Sequence, residues 1–225
     1  MKYGSENTFN ETIDRASNQN NPKQVYLRVC EMLEKEANKF DTLSKKSNAF
    51  EEAVSRADDM FVKMCKKFRA KKTVWIAHLR YLLKSGRHEA AHDVLKRAIL
   101  SLPEYKHVAT VNKLAQLEFE FGSAERARTL FDGLIEKYPK RLDLVFVFID
   151  MEIKHGGGIK ASRRIFTRII NQSTNKLTQK KKFKFSDKQM KSVFKKWFKL
   201  EEDLGDEESQ DNVKAEARAY VERSS

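Results

Sequence analysis

Glycine and proline are scarce in this sequence, eight and three among 225 residues. A fold of many short strands needs turn residues at close intervals, so that scarcity argues against one. Alternating runs of Val, Ile and Thr are also missing, and nothing reads as a half-buried strand. Cys30 and Cys65 are the only cysteines. They fall within helical patterns and are expected as reduced, buried small hydrophobes rather than as a disulfide. On that reading the sequons at Asn10 and Asn171 mean little. No apolar run approaches the roughly 18 residues of a membrane-spanning helix, and the opening MKYGSENTF has no signal-peptide core. The expectation is a soluble, intracellular, all-α protein.

What the chain has is repetition. The stretch LPEYKHVATVNKLAQLEFEFGSAERARTLFDGLIEKYP, ending at Pro139, holds an apolar-periodic segment, Gly122, and a second such segment. Gly86 lies 36 residues before Gly122, and Gly156 lies 34 after it. Those intervals belong to two-helix solenoid repeats. Counting back from each turn glycine, position eleven holds Trp75, Val111, Val145 and Phe194. Position eight holds His78, Leu114, Phe148 and Trp197, and position seven holds Leu79, Ala115, Ile149 and Phe198. These offsets share one helical stripe, the face that each first helix must bury. Four before the glycine an acid recurs as Glu118, Glu152 and Glu201.

The second helices align as well. Ala57, Ala91, Ala127 and Ser162 form a small-residue column that lets helices approach closely, followed by paired large apolar residues. Gly86, Gly122, Gly156 and Gly205 are expected at helix ends in the left-handed conformation. Pro103 and Pro139 follow second helices, where they interrupt nothing. The domain reading is a repeat remnant over 1–21, partly disordered, then a solenoid over 22–225 with pairs at about 22–69, 72–103, 106–139, 141–172 and 188–224. Phe9 and Ile13 in the remnant would form an unpaired apolar face. Natural arrays end in polar capping repeats, so the expectation is a C-terminal piece of a longer array.

The formal charge of +13 is concentrated. From Lys176 to Lys199 there are ten lysines and one acid, Asp187, which leaves about +4 for the rest. The loop 173–187 is expected to be functional or disordered. Lysines neutralise phosphates and release counterions, while Phe183 and Phe185 are of a type that stacks on bases or plugs a groove. The candidates for nucleic-acid or acidic-partner binding are Lys180, Lys181, Lys182, Lys184, Lys188 and Lys191. Lys181 to Lys184 also fits a short nuclear-import motif. The plain alternative is a solvated loop, with Ser186 to Gln189 as a capping box that starts the next helix. Lys191, Lys195, Lys196 and Lys199 would then be the solvated face of a helix whose apolar stripe runs through Met190, Val193, Phe194, Trp197 and Phe198.

Three other patterns imitate chemistry. His88-Glu-Ala-Ala-His92 satisfies the zinc-hydrolase H-E-x-x-H spacing. However, His92 occupies the column of Arg128 and Arg163, an outward position, and Leu95 and Ala98 stand where the extended metal motif needs Gly and His. Trp75 and Trp197 sit on core columns. The three recurring glutamates lie about one repeat apart, which suits structural hydrogen bonds or ion pairs between neighbouring helices better than a catalytic carboxylate pair. No phosphate loop, dinucleotide-binding glycine motif or nucleophile with a base is present. Neither an enzyme nor a cofactor, metal or small-molecule substrate is expected.

An aromatic in the first helix, an acid before the turn and A-R-x-I/L-F in the second resemble the half-a-tetratricopeptide (HAT) repeat. That resemblance implies an α-α superhelix of antiparallel pairs, a TPR-like solenoid, and RNA-processing factors as relatives. TVWIAHLRYLL, LAQLEFEFGSAERARTLF, YPKRLDLVFVFIDMEIKHG and VKAEARAYVERSS resemble the C-terminal repeats of the ribosomal RNA-processing protein five family, called programmed cell death protein eleven in animals. Members carry oligonucleotide-binding-fold domains that this chain lacks, and the lysine-rich segment is an addition to the family pattern. The resemblance implies a non-catalytic scaffold in nuclear, nucleolar ribosome biogenesis, tied chiefly to small-subunit rRNA maturation. Its partners would be ribosome-assembly proteins and pre-rRNA or small nucleolar ribonucleoprotein components, with no membrane. The alternative is a HAT-repeat subunit of an mRNA 3′-end cleavage or splicing complex.

Overall fold

The computed structural model describes residues 6–41, 48–174 and 185–224. Among them every regular element is helical, and the fold is all-α, of the TPR-like class built from packed helix pairs. The chain forms two compact units, Met1–Leu114 and Ala115–Ser225.

The first unit holds α1 (Glu6–Gln19), α2 (Pro22–Asp41), α3 (Asn48–Lys67), α4 (Lys72–Lys84), α5 (His88–Ser101), a single 3-10 turn at Glu104–Lys106, and the start of α6 (His107–Phe121). α2 packs on α3, α4 on α5, and α1 on α2. Ile13 of α1 is buried, so the apolar face expected to stand open there is closed at that residue. Tyr26, Leu33, Phe61, Met64, Leu79 and Leu83 fill the interior. Phe61 stacks between His78 and Tyr81, with ring centroids 5.2 and 4.4 Å apart, and the Arg87 guanidinium lies 4.9 Å from the Tyr81 ring. Cys30 and Cys65 are free and buried, as composition implied.

The second unit continues α6 and adds α7 (Ala124–Lys137), α8 (Leu142–His155), α9 (Gly158–Thr174), α10 (Asp187–Leu204) and α11 (Glu207–Ser224). α8 packs on α7 and α9, and α10 on α9 and α11. Its core is a line of rings. Phe131 stacks on Phe148 at 4.8 Å, and Phe166 stacks on Trp197 at 5.3 Å with the planes 6° apart. Trp75 and Trp197 are both buried, so their columns are packing columns. Ala57, Ala91, Ala127 and Ser162 are at most 1% exposed, the burial that a close-approach column requires.

The turn glycines correct the sequence reading. Only Gly86 of the four is left-handed, at φ 71°. It closes α4 with Arg87 N–H donating to Leu82 O and Gly86 N–H donating to Leu83 O, at 2.9 and 3.0 Å. That is the Schellman pattern. Gly156 and Gly205 lie at φ −113° and −103°, and Gly122 is not left-handed either. At those three positions a Cβ would collide with the carboxylate of Glu118, Glu152 or Glu201, four residues earlier. The glycine is required by the space the acid occupies, not by a left-handed φ. Where Leu82 replaces the acid, the turn reverts to the left-handed solution.

Candidate functional site

The recurring acids are buried, each at most 1% exposed. A buried carboxylate must be paired and hydrogen-bonded to be tolerated. Glu118 accepts from Ser123 N–H at 3.1 Å, and Glu152 accepts from Gly157 N–H at 2.8 Å, so each satisfies a donor at the start of the next helix. Glu152 also takes a two-pronged bond from Arg128, Nε at 2.6 Å and Nη2 at 3.0 Å. Glu201 takes the same from Arg163, and Trp197 Nε1 donates to it at 2.9 Å. Burial alone would raise the Glu152 carboxyl, but the bonds from Arg128 and Gly157 override it and its pKa lies below the usual value. Glu201 is likewise held down, chiefly by Arg163 against the opposing effect of burial. Both remain ionised and are committed to joining consecutive helix pairs. The Arg128 and Arg163 column, expected to point outward, is half-buried and engaged.

In the first unit the same joint appears with its charges exchanged. Asp58 stands one residue after Ala57, in the column of Arg128 and Arg163, and Arg87 follows the turn. Arg87 Nη1 and Nη2 donate to the two Asp58 oxygens at 2.6 and 2.8 Å. This joint was not anticipated from the sequence, because only Asp58 stands in a joint column: Arg87 follows the turn glycine, while Leu82 fills the acid position.

His88 is the first residue of α5, and His92 is half-buried in that same joint column. Among the described residues no three His, Cys, Asp or Glu side chains converge to hold a metal ion. No described helix is long and apolar enough to cross a membrane.

Of the lysine candidates, Lys180, Lys181, Lys182 and Lys184 lie outside the described residues, as does Phe183. Lys188 and Lys191 are exposed on the first turns of α10. Ser186 starts that helix as the expected capping box: Gln189 N–H donates to Ser186 Oγ at 3.3 Å, and Ser186 N–H donates to Gln189 Oε1 at 3.0 Å. Two readings change. Phe185 is buried in the core of the second unit and is not a base-stacking ring. Lys196 is not simply solvated, because its Nζ donates to Asp150 at 2.6 Å and lies 5.7 Å from the Phe146 ring. Lys191 and Lys195 instead border an apolar groove between α10 and α11 that the sequence did not reveal.

No family model matches the chain. It is 37% identical to the human "Protein RRP5 homolog" over 99% of its own length and 10% of that protein. It is 36% identical to the fission yeast "rRNA biogenesis protein rrp5" over 100% of its length and 12% of that protein. A "Pre-mRNA-splicing factor CLF1" from Paracoccidioides brasiliensis is 29% identical, over only 44% of the chain and 16% of that protein. The chain thus spans about a tenth of the length of the full-coverage relatives.

Proposed function

On the premise of a chain homologous from end to end to a segment of the RRP5 rRNA biogenesis proteins, we propose that it is a non-catalytic scaffold in ribosome biogenesis. Its work is support of pre-rRNA processing, chiefly small-subunit maturation, in the nucleolus. It acts as a set of stacked helix pairs that hold assembly proteins and contact pre-rRNA or small nucleolar ribonucleoproteins. The 37% identity across 99% of the chain is the observation that carries this reading. The chemistry agrees with it. The buried acids that might have formed an acid–base pair are each occupied in holding helices together, and helical repeats present extended surfaces without a preformed cavity.

Proximity labelling in cells, with the chain fused to a biotin ligase, tests this proposal. Enrichment of small-subunit precursors and assembly proteins is expected; a labelled set with no nucleolar component refutes it. RNA contact is tested separately by replacing Lys180, Lys181, Lys182 and Lys184 with Glu. Affinity for rRNA fragments is expected to fall and its salt dependence to flatten. Unchanged binding across a salt series removes the RNA part. Spliceosomal or polyadenylation proteins as the dominant labelled set would favour the splicing alternative, which rests on the partial CLF1 match.

A further inference from the structure

The columns eleven and seven residues before the turn glycine are sealed in two of the helix pairs. Trp75 and Leu79 in α4 are 6% and 0% exposed, and Val145 and Ile149 in α8 are 1% and 0% exposed. In α10 these columns hold Phe194 and Phe198, and both are only half-buried. They wall a groove of about 670 Å³ between α10 and α11. Met190, Val213 and Tyr220 form its floor, and Val221, 62% exposed, stands at its edge. Apolar side chains of this size are seldom left open together without a partner.

The second unit itself shows how a helix pair receives another helix. α10 lies against α9 with Trp197 on Phe166, and it reaches α8 through Lys196, which meets Asp150 and Phe146. Phe146 and Asp150 stand ten and six residues before Gly156, and the same positions before Gly205 are Lys195 and Lys199. Where α8 offers an acid and a ring to an incoming lysine, α10 therefore offers Lys195, Lys199 being paired with Glu202 and Asp203 on its own helix. The groove lining agrees, with Lys191, Lys195 and Lys214 against the single acid Asp187.

We propose that this groove receives an amphipathic helix from a partner protein, its apolar stripe on Phe194, Phe198 and Tyr220 and acidic residues on its flanks. The proposal rests on the scaffold reading above and names the chemistry of one partner. Apolar contact supplies the affinity, and the lysines select sign and orientation. RNA fits the groove less well, because the surface between the lysines is a continuous apolar trough with few groups to hydrogen-bond a sugar or base.

The test uses the 225-residue chain and a fluorescein-labelled synthetic helix of about 18 residues, with a leucine stripe flanked by Glu. A second helix has every Glu replaced by Lys. Anisotropy should show binding of the Glu helix and at least about tenfold weaker binding of the Lys helix. Phe198→Glu should abolish binding, with circular dichroism confirming the fold. The exposed-rim variant Lys191→Glu/Lys195→Glu/Lys214→Glu should reverse the preference between the two helices, and it serves alone if Phe198→Glu unfolds. The proposal is overturned if neither helix binds, if both bind equally, or if the rim variant keeps the original preference. It is also overturned if sedimentation shows the chain dimerising through Phe198, or if a single-stranded RNA displaces the Glu helix and loses binding in the same variants. Failure here leaves the labelling result untouched, and a failed labelling result leaves the helix measurement standing, so the two readings fall separately.

Discussion

Arg163 and Glu201, 38 residues apart in sequence, are joined by two parallel hydrogen bonds of 2.9 and 2.8 Å that tie α9 to α10. The carboxylate is 1% exposed while the arginine is 38% exposed. Removing either partner is therefore costly, for different reasons. Glu201→Ala removes the pair and the Trp197 bond, whereas Arg163→Ala strands a buried charge. Each single variant is expected to lose about 3 kcal/mol of unfolding free energy, and the double variant less than the sum. Urea unfolding followed by circular dichroism measures the cycle. Arg163→Lys should not restore the loss, because an ammonium cannot reproduce the fork. Full additivity of the two single variants would show that the bond is not a coupling element.

Gly156→Ala should destabilise by about 1–3 kcal/mol because the new methyl group meets the Glu152 carboxylate. In a Glu152→Ala background the same change should cost much less. Gly86→Ala should cost about 1–2 kcal/mol for another reason, its φ of 71°, with open space around the added carbon. Equal penalties for Gly156→Ala with and without Glu152 would contradict this account.

Stability should fall in acid in two stages. His78 is buried, and burial first and Arg97 second push its imidazole down to about 4 from the ordinary 6.5. The folded state thus binds fewer protons than the unfolded chain between those values. Stability is full above pH 6.5, declines as pH falls toward 4, and the loss is on the order of 3 kcal/mol. Below about pH 4.5 the depressed carboxyls of Glu152 and Glu201 add their own loss as they protonate. A His78→Gln variant should flatten the first stage alone. A His78 resonance, assigned by its loss in His78→Gln, that titrates near 6.5 in the folded protein would rule out the first stage.

Phe166→Ala should cost about 3–5 kcal/mol, since the ring is 1% exposed and stacks on Trp197. Leu100→Ala, at 87% exposure, should stay within about 0.5 kcal/mol of the parent. Thermal or urea melts of the two variants side by side decide the point. Equal melting would mean that the aromatic line does not carry the core.

The helix pairs and their buried stripes were legible because 3.6-residue periodicity and a recurring glycine leave marks at fixed offsets, as Trp75, Val145 and Ile149 show. The capping box at Ser186 was legible for the same local reason. The acid column was expected to make hydrogen bonds or ion pairs between neighbouring helices, and it does; what escaped was the identity of the partners. The acid column and the arginine column were both visible in sequence, yet nothing local said that Glu152 would meet Arg128 across a turn. The glycine at 156 was therefore credited to backbone conformation when its true neighbour was a carboxylate. Phe185 misled because a ring in a lysine-rich run looks like a nucleic-acid contact, and only the packed structure shows it facing inward. The groove beside Phe194 and Phe198 was hidden because periodicity marks a stripe and does not report what covers it.

The reversed polarity of the Asp58–Arg87 joint gives the stack a sense of order. An arginine-bearing second helix such as α9 accepts a first helix whose turn carries glutamate, whereas α3 presents an aspartate in that place and accepts one followed by arginine. A shuffled arrangement that set α3 against α8 would bring Asp58 toward the buried Glu152, one anion against another. Neighbouring modules thereby differ in the sign of the charge that joins them, and hairpins built on the same columns are not interchangeable at their joints.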